Sequence, residues 1–170
     1  MNVPDVVPIA YEPDYRTATI GRWDGGQFLA SVTAAFPEGR TVGDDWARHK
    51  RWYAVLHRFD AAGRHLGSSI VSTGTTEDGE REVVEAARLL LDEWLDALPG
   101  RRYESIAVAP FAVRCEGALF GLVVEHHGEE DEGGDVEGDG DGGEDGAGDW
   151  VELYPDGLGF SAPWDGTYDT

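Results

Sequence analysis

One cysteine, Cys115, stands in the whole 170-residue chain, which excludes an intrachain disulfide and any zinc site built on several thiolates. Lysine is almost as scarce: Lys50 is the single one, so arginine supplies the other twelve of thirteen basic side chains. Against them stand 34 Asp and Glu, a formal charge of −21, which makes a nucleic-acid backbone or an anionic membrane surface a poor partner. The first basic residue is Arg16, and Met1 to Ala10 carries Asp5 and two prolines, so the sequence predicts neither a signal peptide nor a basic transit segment. No apolar run approaches the length of a membrane span. These absences point to the cytoplasm.

What is present suffices for one core. At 41% hydrophobic residues and 11% aromatics, with six each of Trp, Tyr and Phe, residues 1–170 are expected to form a single domain. Residues 128–149 stand apart: eleven Asp or Glu, nine Gly, Val136 and Ala147, with no basic residue. Such a stretch cannot bury enough apolar surface to order itself, so it is expected to be a disordered acidic insertion with at most weak cation association. Taking its eleven charges from −21 leaves −10 on the other 148 residues, so the acidity is mostly local.

Hydrophobic spacing predicts the elements. Asp24-Gly25-Gly26 separates Tyr15 to Trp23 from Gln27 to Phe36, where Phe28, Ala30, Val32, Ala34 and Phe36 alternate as a half-buried strand requires, and a hairpin follows. A second hairpin is expected from Arg51 to Phe59 and His65 to Thr73, joined by Asp60 to Arg64. In its first strand Trp52, Ala54 and Leu56 share one face and Tyr53, Val55 and Phe59 the other, which predicts a central strand covered on both sides. Val83, Ala87, Leu90, Leu91, Trp94, Leu95 and Leu98 then follow helical spacing, with Arg81, Glu85, Arg88, Asp92 and Asp96 as the wet face. Thr75 or Thr76 with Asp78 can cap that helix and Pro99-Gly100 can end it. Later, the apolar phase changes at Ala109-Pro110, Glu116-Gly117 turns the chain into Ala118 to His127, and Trp150 to Phe160 forms a hairpin around Pro155-Asp156-Gly157. The predicted class is α+β: a mainly antiparallel sheet of hairpins covered by one long helix.

Motifs that carry chemistry are weak. Gly138 to Gly143 matches a dinucleotide-binding glycine pattern literally, but its carboxylates would repel pyrophosphate and neither a strand nor a helix flanks it. Asp135, Glu137, Asp139 and Asp141 have calcium-loop spacing, yet position twelve is Gly146 where a carboxylate is needed. His126 and His127 would point to opposite faces of a strand and cannot share one metal, so His126 is expected to be a hydrogen-bonded residue at a strand end. Ser161 lies in Gly159 to Pro163, which ends in Pro where a nucleophile elbow needs Gly. Cys115 shares a face with Phe111 and Val113 and is expected in the core; Asp44 and Asp45 are expected to be solvated or capping. No catalytic residue, cofactor site or metal site is assigned. The basic and aromatic run Arg48 to Tyr53 either begins a strand with exposed arginines, pairs with the acidic tract, or rims a protein-binding face. For such a face the candidate contacts are Arg48, Lys50, Arg51, Trp52 and, near the end of the chain, Trp164.

Ile9 to Arg16, Gly21 to Phe28, Gly43 to Trp46, Lys50 to Leu56, Tyr154 to Phe160 and Pro163 to Thr170 together resemble a group of small bacterial proteins labelled formate hydrogenlyase regulatory protein. The resemblance covers nearly the whole chain outside the acidic tract, and its motifs are turn and packing residues. It implies a negative regulator of hydrogenase operons that opposes a formate-responsive activator through protein contact. Three functions are therefore carried forward. One is a non-enzymatic cytoplasmic regulator that binds another protein, the second is an immunity- or inhibitor-type protein that sets its acidic loop against a basic partner, and the third is an enzyme of unknown reaction.

Overall fold

The computed structural model describes residues 3–37, 43–126 and 149–169. Eleven strands and two α-helices are present among them: β1 Val7–Ile9, β2 Ile20–Trp23, β3 Gly26–Ala35, α1 Trp46–His49, β4 Arg51–Phe59, β5 His65–Thr75, α2 Glu80–Asp96, β6 Arg102–Tyr103, β7 Ile106–Val108, β8 Phe111–Cys115, β9 Ala118–Glu125, β10 Trp150–Tyr154 and β11 Leu158–Phe160. Every strand pairing is antiparallel. The class is α+β, with one long helix.

The strands divide among three sheets: five strands in the order β5-β4-β3-β2-β6, four in the order β11-β10-β9-β8, and the pair β1-β7. Alternation along β3 and β4 explains why the five-stranded sheet is covered twice. Phe28, Ala30, Ala54 and Leu56 pack against Ala87, Leu91, Leu95 and Leu98 of the α2 side. On the other face Leu29 and Phe59 meet Leu122, Val151, Leu153, Leu158 and Phe160, while Tyr53 and Val55 meet Phe120. The layers are thus helix, five-stranded sheet, four-stranded sheet, and β4 is central as its two apolar faces predict.

Local chemistry fixes the elements. Helix α2 buries Val83, Ala87, Leu91 and Leu95, the i, i+4 stripe. Ahead of it, the Asp78 carboxylate accepts from the Thr75 amide at 3.0 Å and its hydroxyl at 3.2 Å. Gly79 and Gly100 at its two ends sit at φ 117 and 73, a left-handed backbone that favours glycine. The phase change at Ala109-Pro110 is where the chain leaves β7, paired with β1, for β8, paired with β9. Glu116 and Gly117, at φ 52 and 80, make the two-residue turn between β8 and β9.

The first hairpin departs from expectation. Its opening strand was predicted from Tyr15, but β2 begins at Ile20 and pairs with β3 as far as Leu29. Polar bonds hold the preceding segment elsewhere: the Tyr15 amide donates to Glu12 O at 3.0 Å, the Glu12 amide to Thr17 O at 3.3 Å, and the Thr17 hydroxyl to Ala10 O at 2.7 Å. The last link to β3 is Ala30 N donating to Thr19 O at 3.0 Å. Beyond it Ser31–Ala35 has β4 on one side and no strand on the other among the described residues. The expected disordered insertion, 128–149, lies outside the described residues apart from Asp149. No helix of the described residues is long and apolar enough to cross a membrane.

Candidate functional site

The early departure of β2 leaves a groove of about 680 Å³ along the open edge of β3. Its floor is Ser31, Val32, Thr33 and Ala34. One wall is a single stripe of α2, Glu80, Val84, Arg88 and Asp92, spaced four residues apart so that they stand above one another, with Leu91 beneath. The opposite wall is Tyr15, Arg16, Ala18 and Thr19 with the β10–β11 turn residues Pro155 and Asp156, and Lys50 and Trp52 also line the groove.

Backbone chemistry gives this groove its character. Successive residues of a strand point their N–H and C=O groups to alternate sides. Ala30 directs its amide toward Thr19, so Val32 and Ala34 direct theirs the same way, off the sheet and into the groove, with no bonding partner among the described residues. An unpaired row of this kind is a template for another strand.

The side chains add charge. Three cations, Arg16, Lys50 and Arg88, and three acids, Glu80, Asp92 and Asp156, line the groove, and the Arg16 guanidinium donates to the Asp156 backbone oxygen at 3.3 Å. The Lys50 ammonium lies 5.1 Å from the centre of the Trp52 ring and 5.9 Å from that of Trp46, a cation–π arrangement. The acids are partly occupied. Glu80 accepts from the Thr76 hydroxyl at 2.9 Å, and Asp156 accepts from the Thr33 hydroxyl. Burial pushes the Asp156 carboxyl above its ordinary value, although the Thr33 bond and nearby Arg16 oppose the rise. Trp52 is held in place by its indole N–H, which donates to Thr76 Oγ1 at 2.9 Å.

Of the five candidate contact residues, the structure brings Lys50 and Trp52 to this groove and not the other three. Arg48 faces Glu77 at 3.7 Å across an exposed surface. Arg51 faces Glu116 at 3.7 Å and donates to Ser72 Oγ at 3.2 Å, so its described partners lie within the fold. Trp164, at φ 61, packs against the core between the sheets, its buried indole N–H without a partner among the described residues.

The other candidates fall where their surroundings dictate. Cys115 packs on the edge of the Tyr53–Phe120 cluster, and burial raises its thiol, which keeps it from being a thiolate. His126 Nδ1 stands 3.0 Å from Asp149, a strand-end histidine with a partner, whereas His127 lies outside the described residues. Asp45 meets His49 at 3.1 Å, and that hydrogen bond lowers its carboxyl, while Asp44 is exposed. Ser161 is exposed and followed by turns rather than a helix. Both glycine-rich patterns, at 135–146 and 138–143, lie outside the described residues. Among the described residues no three His, Cys, Asp or Glu group together as a metal site would require.

Sequence reasoning missed Arg16, Arg88, Asp156 and the open edge itself. Arg88 reads as a wet-face residue of an amphipathic helix, and nothing in that pattern says a groove lies below it. No local pattern marks where β2 begins: the departure is set by the Thr17 hydroxyl donating to Ala10 O and the Glu12 amide donating to Thr17 O, contacts that only the folded chain brings together. Searches of family models, curated proteins and solved structures found no match to this chain.

Proposed function

We propose that the protein is a non-enzymatic cytoplasmic regulator that acts by holding a segment of another protein in this groove. The observation that carries it is the open edge of β3 inside a groove of about 680 Å³, where backbone groups of Val32 and Ala34 await a partner. Recognition through main-chain bonds along a sheet edge, with side-chain walls for selectivity, is a recurrent way for one protein to bind a stretch of another. The resemblance to formate hydrogenlyase regulatory proteins supports the same class and supplies its context, repression of a hydrogenase operon by contact with its formate-responsive activator.

The test uses the chromosomal gene in its own host and a reporter on the hydrogenase operon. Deleting the gene is expected to raise expression, and Arg88→Glu, an exposed change on α2, is expected to reproduce the deletion without lowering the melting temperature. A photo-crosslinking residue at position 88 is expected to capture the activator. An unchanged reporter in both strains, with no activator captured, overturns the proposal.

A further inference from the structure

We propose that the open edge of β5 binds the β5 edge of a second copy of this chain, antiparallel about a twofold axis at Ile70. The surface lies at the end of the five-stranded sheet, two strands from the groove edge of β3, and is independent of the regulator reading above. β5 has β4 on one side and no strand on the other among the described residues. Exposed edges are commonly guarded by charge, proline or bulges. From His65 to Thr75 there is no Asp, Glu, Lys, Arg or Pro, and the bulges sit only near the two ends. The residue of β5 that faces β4 jumps from His65 to Gly67 and from Ser72 to Gly74, which leaves Leu66 and Thr73 as the extra residues and 67–72 as the regular stretch between them.

Backbone direction fixes the register. Ala30 bonds to Thr19 on the far side of β3, so Leu29 and its partner His57 turn toward each other, and Leu56 and Arg58 turn toward β5. Their partners Ser69 and Gly67 turn back to meet them, so Ser68, Ile70 and Ser72 direct their N–H and C=O groups off the sheet. This outward row reads Ser-Ile-Ser, the same in both directions. About a twofold at Ile70, Ser68 meets Ser72 of the second copy, Ile70 meets its own counterpart, and Ser72 meets Ser68. A twofold contact requires a self-complementary surface of this kind, whereas a foreign strand has no need of the palindrome. Such an axis runs perpendicular to the sheet, so like layers lie beside like layers. Val71, 42% exposed, then comes opposite Ser69 of the second copy and diagonal to its own counterpart. Charge argues the same way. Each copy carries −21, so two copies repel wherever acidic surfaces approach, and an uncharged strand is where they can meet.

Analytical ultracentrifugation of the full chain up to about 1 mM is expected to show a reversible dimer of twice 18.5 kDa. Association is expected to tighten between about 0.01 M and about 0.15 M salt, because screening removes like-charge repulsion. Raising the protein concentration is expected to slow hydrogen exchange at the Ser68, Ile70 and Ser72 amides and to leave those of Val32 and Ala34 unchanged. Val71→Lys sets a cation opposite Ser69 of the second copy, whose hydroxyl accepts from Arg58. This variant is expected to weaken the dimer at least tenfold while the dilute protein keeps its melting temperature. Disulfides read the register in a Cys115→Ser background. Ser69→Cys and Val71→Cys proteins, mixed and treated with oxidised glutathione, are expected to give a cross-linked dimer with one copy of each, and neither protein alone is expected to do so. A monomer at every concentration overturns the proposal and leaves the edge to a foreign segment. A dimer that survives Val71→Lys, loosens with added salt, protects Val32 and Ala34 instead, or cross-links as readily without mixing overturns it as well.

Discussion

His57 lies on β4 with 3% of its surface exposed, and burial drives its imidazole from 6.5 down to about 3, with His65 and Arg58 pushing the same way. Its Nδ1 is 2.6 Å from Ser68 Oγ, which is also 2.8 Å from His65 Nε2, and Phe111 closes the cluster at 4.7 Å from the His57 ring and 4.5 Å from that of His65. The unfolded chain takes up this proton near 6.5 and the folded one near 3, so between those values stability falls with falling pH. One proton gives a slope of at most about 1.4 kcal/mol per pH unit. Urea midpoints for the parent and His57→Asn, taken from pH 7 to pH 4.5, should show the variant with the shallower slope; parallel slopes would mean that His57 titrates normally. Asp156 has the opposite sign. Its carboxyl is raised in the fold, so above about 3.8 the unfolded chain gives up the proton first and ionisation costs stability. Asp156→Asn keeps an acceptor for the Thr33 hydroxyl and removes the buried charge, so it should be the more stable protein at pH 7 and lose that advantage by pH 3.5. A destabilised Asn variant at pH 7 would show that the charge is held by Arg16 rather than merely tolerated.

Among the elements, α2 tests how burial converts into stability. Leu95 is 3% exposed and packs under Phe28, Ala30 and Leu56 as part of one cluster, whereas Leu89 on the same helix is 58% exposed. Leu95→Ala should cost about 2–5 kcal/mol and Leu89→Ala less than about 0.5, measured by urea denaturation. Equal losses would show that helix propensity rather than packing sets the cost. This helix was legible because a 3.6-residue stripe is a local property, and the hairpins were legible because two-residue turns such as Asp24-Gly25 and Glu116-Gly117 are local too. The pairing of β1 with β7 was not legible: Val7–Ile9 meets Ile106–Val108, three residues against three across most of the chain, with only apolar residues as a signal. The separation of the strands into two packed sheets escaped notice for a related reason. Alternation says that β4 has two apolar faces, but a helix and a second sheet cover an apolar face equally well. The groove was the least legible feature because it arises where a strand stops. Trp52 and Lys50 stood out as a basic and aromatic pair, but Arg88, Arg16 and Asp156 come from three further segments that only tertiary packing assembles.

At the scale of the whole molecule the charge of −21 is uneven, and the tract that concentrates it connects two paired strands. Glu125 of β9 pairs with Trp150 of β10, so 24 intervening residues close one hairpin. Loop-closure entropy grows as 1.5RT ln n, so replacing 128–148 with a four-residue turn shortens the connection from 24 residues to seven and should stabilise the fold by about 1 kcal/mol. His126 and Asp149 must be kept, because their contact at 3.0 Å sits at the mouth of that hairpin. Ten carboxylates leave with the tract, so self-repulsion also drops. That part is screened beyond about 8 Å at physiological salt and reaches further at low salt, which separates the two effects. The urea midpoint of the shortened protein should exceed the parent's at 0.15 M salt, and by a wider margin at 0.01 M. A gain that does not change with salt assigns the effect to loop length alone. A midpoint well below the parent's would mean that the tract contributes contacts its composition does not promise.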